Sequence, residues 1–354
     1  MSSWTGLDIG GANIKYAVVA PSTGLESETK IHALQQSGSV NFELWKRKSE
    51  LADALALMAD DLPSDNCVAV TMTGELADCF ENKREGVRFI VDKVEQVFGS
   101  ERSVFYQVGG VLVDADEARN SYKLTAAANW HALATYCTRF LKSESGLLID
   151  IGSTTTDIIP ISNGQVAAKG STDTQRICNN ELVYTGVTRS PICSLISFGY
   201  VDGRKVPLAQ EVFATALDAH VILGNIPPDE NNLATSDGRP ATVSCCKQRI
   251  ARMFCADREE LADDTIYRLA DQAAYWQQRL LRSAVGRVIK THRLPKNFTV
   301  VVSGIGSWLA RRILIDLVDS PDVVSLEELL GPRASASAPA FSLAMLAARF
   351  GIGV

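Results

Sequence analysis

Gly146-Leu147-Leu148-Ile149-Asp150-Ile151-Gly152-Ser153-Thr154-Thr155-Thr156-Asp157-Ile158 is an apolar run ending at an aspartate, a turn of glycine and short hydroxyls, and a second apolar run. The same design stands earlier in the chain as Gly6-Leu7-Asp8-Ile9-Gly10-Gly11-Ala12-Asn13-Ile14-Lys15. Short apolar runs around a glycine turn read as two buried strands joined in a hairpin. Asp8 and Asp150 lie 142 residues apart, too far for a solenoid repeat and suited to a duplicated domain. The echo divides the chain into two lobes, 1–142 and 143–354, opening on the hairpins 6–15 and 147–158.

Outward from the first hairpin, strand-like and helix-like segments alternate, the pattern of an α/β domain. Strands are predicted over 4–9, 15–20, 67–72 and 103–108. A helix is predicted over 41–61, where Leu44, Leu51, Leu55 and Met58 recur at helical spacing, and another over 89–98. Residues 114–142 read as helical up to the polar break Lys142-Ser143-Glu144-Ser145. In the second lobe, 171–258 is rich in turn formers such as Pro227-Pro228-Asp229 and reads as an insertion with short helices. A long amphipathic helix follows over 259–289, with Ile266, Leu269, Ala273, Trp276, Leu280 and Ala284 as its core stripe. A buried strand over 298–302 then runs into Ser303-Gly304-Ile305-Gly306 and a helix from Trp308, and 340–350 is a closing helix.

A chain of 354 residues with 46% hydrophobic and 21% charged residues has the apolar content for a proper core, which excludes a disordered or low-complexity class. Its 41 acidic against 35 basic residues lack the basic excess of a protein built around a phosphate backbone, so no nucleic-acid partner is expected. No basic-then-apolar leader and no charge-free run of roughly 20 apolar residues is written in it, so no membrane partner and a cytoplasmic location are expected. The eight cysteines form no C-x-x-C pair and read as scattered reduced thiols, Cys245, Cys246 and Cys255 making a poor metal set. The four histidines are isolated, His131 reading as a structural hydrogen-bonder.

The chemistry lies in the turns. Without Cβ atoms, or with short hydroxyls, a turn's N–H groups can point into a cleft and hold phosphate oxygens. A carboxylate beside such a turn would repel a bare phosphate, and makes sense if it holds a divalent cation. One such loop alone reads as a hairpin with a solvated aspartate. Two copies, with a third strand, glycine and helix unit over 300–311, read as a clamp for a metal-bound polyphosphate. Candidate phosphate ligands are Gly10, Gly11, Asn13 and Lys15, then Gly152, Ser153, Thr154, Thr155, Thr156 and Asp157, then Gly304 and Gly306. Asp8 and Asp150 are the candidate ligands for Mg²⁺.

Residues 6–15 and 147–158 resemble the paired phosphate loops of the actin, sugar kinase and Hsp70 superfamily, and 300–311 resembles its third, adenosine-side loop. That resemblance implies an α/β fold of two ribonuclease-H-like domains around a central cleft. One departure stands at Gly11-Ala12-Asn13, where superfamily kinases usually carry Gly-Gly-Thr, so a hydroxyl that would touch a nucleotide is missing. Longer strings narrow the resemblance: Gly6-Leu7-Asp8-Ile9-Gly10-Gly11-Ala12-Asn13, Thr71-Met72-Thr73-Gly74-Glu75, Lys83-Arg84-Glu85-Gly86-Val87, Ala128-Asn129-Trp130, the second hairpin through Pro160, and Glu181-Leu182-Val183-Tyr184-Thr185-Gly186-Val187 with Arg189-Ser190-Pro191. These resemble the hydantoinase/oxoprolinase-related proteins linked to tetrahydromethanopterin one-carbon transfer, over nearly the whole chain. The resemblance implies a transferase of methanofuran or methylofuran biosynthesis. It would couple an aminomethylfuran-methyl diphosphate to the phenol of γ-glutamyltyramine, or a tyrosine-derived acceptor, and release pyrophosphate. The alternatives are an ATP-dependent kinase or an ATP-driven amide hydrolase and, last, a nucleotide-gated scaffold; ATP is a cofactor only under these.

Under the transferase reading, the furan stabilises a methylene cation and the diphosphate leaves early if a metal and fixed donors meet its charge. Asp8 and Asp150 position Mg²⁺, and the turn amides with the Thr154 to Thr156 hydroxyls hold the diphosphate. Lys15, Lys83 and Arg84 either add positive charge or are solvated surface cations. A phenol, of pKa about 10, must lose its proton as it attacks. Glu75 is the candidate base, with Asp78 and Asp157 as competitors. Glu75 also reads as a helix-start carboxylate favoured by the helix dipole. The oligomeric state is not written in the sequence; the helix around Trp276 serves an interface as readily as a core.

Overall fold

The structure, a computed structural model, is described for residues 3–21, 32–63, 66–315, 317–318 and 321–350. The first sheet comprises β1 (Trp4–Ile9), β2 (Asn13–Pro21), β3 (His32–Asn41), β4 (Cys67–Met72), β5 (Ser103–Gln107) and β6 (Val111–Val113), in the order β3-β2-β1-β4-β5-β6. β2 runs antiparallel to β1 and β3, and β4 and β5 run parallel to β1. β1 is buried along its whole length, Thr5 and Asp8 included, as a central strand covered on both faces is.

The second sheet repeats this plan. β7 (Gly146–Ile151), β8 (Thr156–Ser162), β9 (Gln165–Val166) and β10 (Leu182–Val183) are followed by a separate hairpin, β11 (Phe198–Val201) and β12 (Arg204–Pro207), and then by β13 (Thr299–Ser303) and β14 (Asp322–Ser325). The order is β10-β8-β7-β13-β14, with β8 antiparallel to β7, and β13 parallel to both β7 and β14. Each lobe is thus an antiparallel hairpin continued by parallel strands and faced by helices. The expected pair of ribonuclease-H-like lobes is the fold observed.

The duplication also extends to a third strand, which the sequence reading missed. Thr71 of β4 lies beside Asp8, and Ser303 of β13 lies beside Asp150. Beyond each strand a glycine amide donates to the matching carbonyl: Gly74 to Ile9 at 3.0 Å and Gly306 to Ile151 at 2.9 Å.

Two helices join the lobes. Ala338–Phe350, late in the chain, packs on the first sheet, its Ala340, Leu343 and Ala344 against Trp4, Ala17 and Ala69. Gly6 permits this approach, since a Cβ there would lie 2.0 Å from the Ala340 carbonyl oxygen. Asn129–Cys137 sits between the sheets: Ala132 and Tyr136 join that cluster, while Trp130, Leu133 and Ala134 pack on Leu148, Ile159 and Val301.

Several predicted elements are redrawn. The segment expected as a helix over 41–61 stays in β3 through Asn41, turns helical at Leu44, tightens at Lys48–Glu50 and resumes over Leu51–Ala59. Its four apolar residues are buried as expected. The helix expected over 89–98 starts earlier, at Lys83, where the Asn82 side chain accepts from the Glu85 amide at 3.0 Å. Residues 114–142 hold three short helices, the last two separated by Ala127 in the left-handed region at φ 48°. The long helix, Asp263–His292, buries Ile266, Leu269, Ala273 and Ala284, but Trp276 and Leu280 are 47% and 48% exposed. Gln277 and Leu281 are buried in their place, four and eight residues on from Ala273, because the buried face runs through Ala270, Ala284, Val285 and Val288 and leaves Trp276 and Leu280 at its edge. The turn-rich 171–258 carries helices at Asp173–Cys178, Ile192–Leu195, Ala216–Ile222 and Val243–Arg252. The apolar faces of the last three pack on the first half of the long helix. Among the described residues no helix is long and apolar enough to cross a membrane.

Candidate functional site

The two hairpin turns are built alike. The Gly10 amide donates to the Asn13 carbonyl and the Gly152 amide to the Thr155 carbonyl, each at 2.9 Å. Both turns are also held from behind through carbonyls: Gly11 and Ala12 accept from Leu44 and Phe42 at 2.8 and 3.0 Å, and Gly152 and Ser153 accept from Val187 and Arg189 at 3.1 and 2.9 Å. The amides of Gly11, Ala12, Ser153 and Thr154 have no acceptor among the described residues. A Cβ on Gly11 would meet nothing within 4 Å, so that turn faces open space. Unpaired amides on a carbonyl-anchored turn form a nest for an anion.

This geometry redraws the expected donor set. Gly10 and Gly152 use their amides inside the turns, and Gly306 uses its own on Ile151, where a Cβ would also strike the Ile151 side chain at 2.5 Å. Gly304 is required by φ 82° and by closeness to Asp150, whose Oδ1 would lie 2.6 Å from a Cβ there. Thr156 is buried and its hydroxyl donates to the Thr185 carbonyl at 2.7 Å, so it does not reach the cleft. Ser153, Thr154 and Thr155 line the turn, the first two hydroxyls 3.3 Å apart, and Asn13 is exposed at the edge of the other turn.

Asp8 is 8% exposed, and burial pushes its carboxyl up to about 6, against the opposing Lys15 and the adjacent Asn129 side chain. Its Oδ1 has no hydrogen-bond partner among the described residues. Asp150 is also pushed up to about 6, by burial and then by Asp157 across the hairpin; Asp8 adds to this, while Ser303 and Lys15 oppose it. Lys15 of the first lobe, half-buried and opposite Asp8 in its hairpin, acts on both aspartates.

Asp157 has a different task. It forms an ion pair with Arg176, which is 2% exposed, reaches Asp173 at 3.4 Å and stacks on Trp130 at 4.1 Å. A buried guanidinium needs such a counter-ion, so Asp157 is committed as structure and drops out as a base or phosphate ligand.

Glu75 is buried, its Oε2 has no partner among the described residues, and Oε1 lies 4.0 Å from the Lys83 ammonium. Burial pushes its carboxyl up to about 7; Lys83 opposes this, while Asp173 and Asp8 add to it. Glu75 sits among turns well before the helix at Lys83, so the helix-start reading does not hold. Gly86 lets that helix press on the Glu75 backbone, a Cβ there lying 2.0 Å from the Glu75 carbonyl oxygen. Lys83, 27% exposed, also pairs with Asp173 of the other lobe at 3.7 Å. Arg84 turns aside to stack on Tyr122 at 4.7 Å, and Asp78 is exposed.

The sequence reading assigned no role to Asn129, Asp173, Arg176 or Ser303. Asn129 stood in a quoted string, whereas Asp173 and Arg176 lie in a turn-rich stretch and reach the site only through the fold.

The residues fit a divalent cation. Mg²⁺ is commonly held by one or two carboxylates, with water and substrate phosphate completing its shell. Asp8 and Asp150 repel one another, and Asp8 Oδ1 is buried without a partner. Among the described residues no group of three or more His, Cys, Asp or Glu side chains gathers to hold a metal alone.

The hydantoinase/oxoprolinase family profile matches residues 66–350. A relative from Methanocaldococcus jannaschii, named (4-{4-[2-(gamma-L-glutamylamino)ethyl]phenoxymethyl}furan-2-yl)methanamine synthase, is 37% identical over 342 residues, 96% of either chain. A relative of the same name from Methanococcus vannielii is 32% identical over 202 residues, 56% of this chain and 89% of its own. Among solved structures, the inorganic polyphosphate/ATP-glucomannokinase of Arthrobacter sp. strain KM is similar over 99% of this chain and 100% of that chain, with 14% identity and a TM-score of 0.45. With the profile covering most of the chain and the M. jannaschii relative nearly all of it, the chain belongs to the hydantoinase/oxoprolinase family.

Proposed function

We propose that this chain transfers an aminomethylfuran-methyl group from its diphosphate to the phenol of γ-glutamyltyramine or a tyrosine-derived acceptor, in cofactor biosynthesis of the methanofuran type in the cytoplasm. The M. jannaschii relative is named for such a product, a furan methanamine carrying a phenoxymethyl link. The observation that carries the reading is the pair of matched turns, with unpaired amides beside Asp8 and Asp150.

In this account the methylene C–O bond breaks, its electron pair leaving with pyrophosphate. The phenol oxygen forms the new C–O bond, and its proton passes to Glu75. The amides of Gly11, Ala12, Ser153 and Thr154 and the Lys15 ammonium meet the phosphate oxygens, whose negative charge grows as the bond breaks. Asp8 and Asp150 would hold Mg²⁺, which when bound neutralises charge on the leaving group. Glu75, titrating at about 7, suits proton transfer near neutral pH.

The test is incubation of purified protein with Mg²⁺, the furan-methyl diphosphate and γ-glutamyltyramine without ATP. Equimolar ether and pyrophosphate are expected. No ether there, with ATP consumed in a parallel incubation with a small acid or amide, would overturn the reading in favour of a kinase or hydrolase.

A further inference from the structure

The middle of the long helix carries a polar side chain where the core calls for an apolar one. Gln277 is fully buried, and both ends of its amide are engaged. Its Nε2 donates to Thr185 Oγ1 and to the Gly186 carbonyl, each at 2.8 Å, and its Oε1 lies 2.8 Å from His220 Nε2. For Oε1 to accept, His220 must carry its proton on Nε2, leaving Nδ1 to accept from Asn225 Nδ2 at 3.3 Å. Ser190 closes the set: its Oγ lies 2.8 Å from Thr185 Oγ1 and accepts from the Gly186 amide at 2.9 Å.

The segment so anchored, 185–190, is the backing of the second turn. Val187 and Arg189 donate to the Gly152 and Ser153 carbonyls, and Thr188 to the Ser153 carbonyl from both its amide and its hydroxyl. Gly186 presses so closely that a Cβ on it would lie 2.5 Å from the Gly152 oxygen and 2.6 Å from the Thr154 nitrogen. Thr156 ties the far side of the turn to the Thr185 carbonyl. The carbonyls of the turn are therefore drawn back onto this strap, which fixes the direction of the Ser153 and Thr154 amides.

We propose that Gln277 is a positioning residue for the second anion-binding turn: it pins the 185–190 strap, and the strap holds the Ser153 and Thr154 amides toward the cleft. It touches no substrate. The proposal rests on the reading of that turn as the diphosphate site.

The test compares full-length wild type, Gln277→Leu and Ser190→Ala by hydrogen exchange across 150–156, by calorimetric binding of Mg²⁺-pyrophosphate, and by steady-state kinetics. Gln277→Leu should speed exchange of the turn amides about tenfold, weaken pyrophosphate binding and raise the KM for the diphosphate donor by a similar factor, and leave the acceptor KM unchanged with kcat within about twofold. Ser190→Ala, which keeps Gln277 but loosens the strap, should show the same pattern more weakly, and serves if Gln277→Leu does not fold. Unchanged exchange and unchanged pyrophosphate binding in the folded variants would overturn the proposal, as would a fall in kcat alone. Faster turn exchange in the variants, with no pyrophosphate bound by wild type, would retain the pin and overturn the diphosphate reading.

Discussion

Asp150 stands across its hairpin from Asp157, at the place where the first lobe sets Lys15 opposite Asp8. The duplicated hairpins therefore differ in charge at one matched position. The second lobe neutralises its extra carboxylate with Arg176, and the first lobe contributes the ammonium that acts on both Asp8 and Asp150.

Lys15 should accordingly matter more than its half-exposed position suggests. In Lys15→Met both aspartates lose the cation that lowers their pKa, so each should hold its proton to higher pH than the present value of about 6. The acid side of the kcat/KM profile should move upward, and the KM for the diphosphate should rise about tenfold through loss of a charged contact. A profile superimposable on wild type would show that Lys15 is a surface cation.

Asp8 illustrates a site that costs stability. Its carboxyl titrates at about 6, against an ordinary 3.8, because the folded state disfavours the ion. The penalty is absent below pH 3.8, grows up to about 6 and is complete above it, reaching up to about 3 kcal/mol before water entering the cleft reduces it. Asp8→Asn should raise Tm by a few degrees at pH 8 and have no such effect near pH 4. Mg²⁺ should raise the Tm of wild type and leave Asp8→Asn unmoved, since only a bound cation shifts the equilibrium. Thermal scans at the two pH values, with and without Mg²⁺, check both statements.

For Glu75, titrating at about 7, the ionised form that accepts a proton grows as pH rises through neutrality. Activity should therefore climb through about pH 7 and level off. Glu75→Gln should lower kcat/KM by about 10² to 10⁴ and abolish that limb, while raising Tm above pH 7 by removing a buried charge. Retention of the limb in Glu75→Gln would assign the proton to another group.

Arg176 should behave as a structural cation. Arg176→Met leaves Asp157 buried without its partner and should lose about 3–5 kcal/mol by denaturant unfolding. Asp157→Asn combined with Arg176→Met should recover most of that loss. A double variant as unstable as the single one would mean that Arg176 acts through Trp130 and not through Asp157.

The sequence carried the hairpins because each is local: an apolar run, an aspartate, a tight turn and a return strand lie within about a dozen residues. The third-strand echo was hidden. Gly74 and Gly306 are 232 residues apart, whereas Asp8 and Asp150 are 142 apart, so the matching pairs fall out of step, and little beyond a glycine is shared. Which turn amides are free could not be read, because Gly10 and Gly152 are committed by backbone geometry that does not depend on side chains. Gln277 was passed over since a search for apolar periodicity chooses Trp276 and Leu280 beside it. Glu75 was singled out from its motif, while Lys83 read as an added charge or a solvated surface cation until the fold set it near Glu75 and Asp173.

If the matched turns hold a diphosphate that departs as a leaving group, the oxygen bridging methylene and phosphorus must depart with it. With that oxygen labelled as ¹⁸O, C–O cleavage places all of the label in pyrophosphate and leaves the phenol's own oxygen in the ether. Label retained in a hydroxymethylfuran, with a diphosphate found on the phenol, would contradict the account and mark the site as one of diphosphoryl transfer.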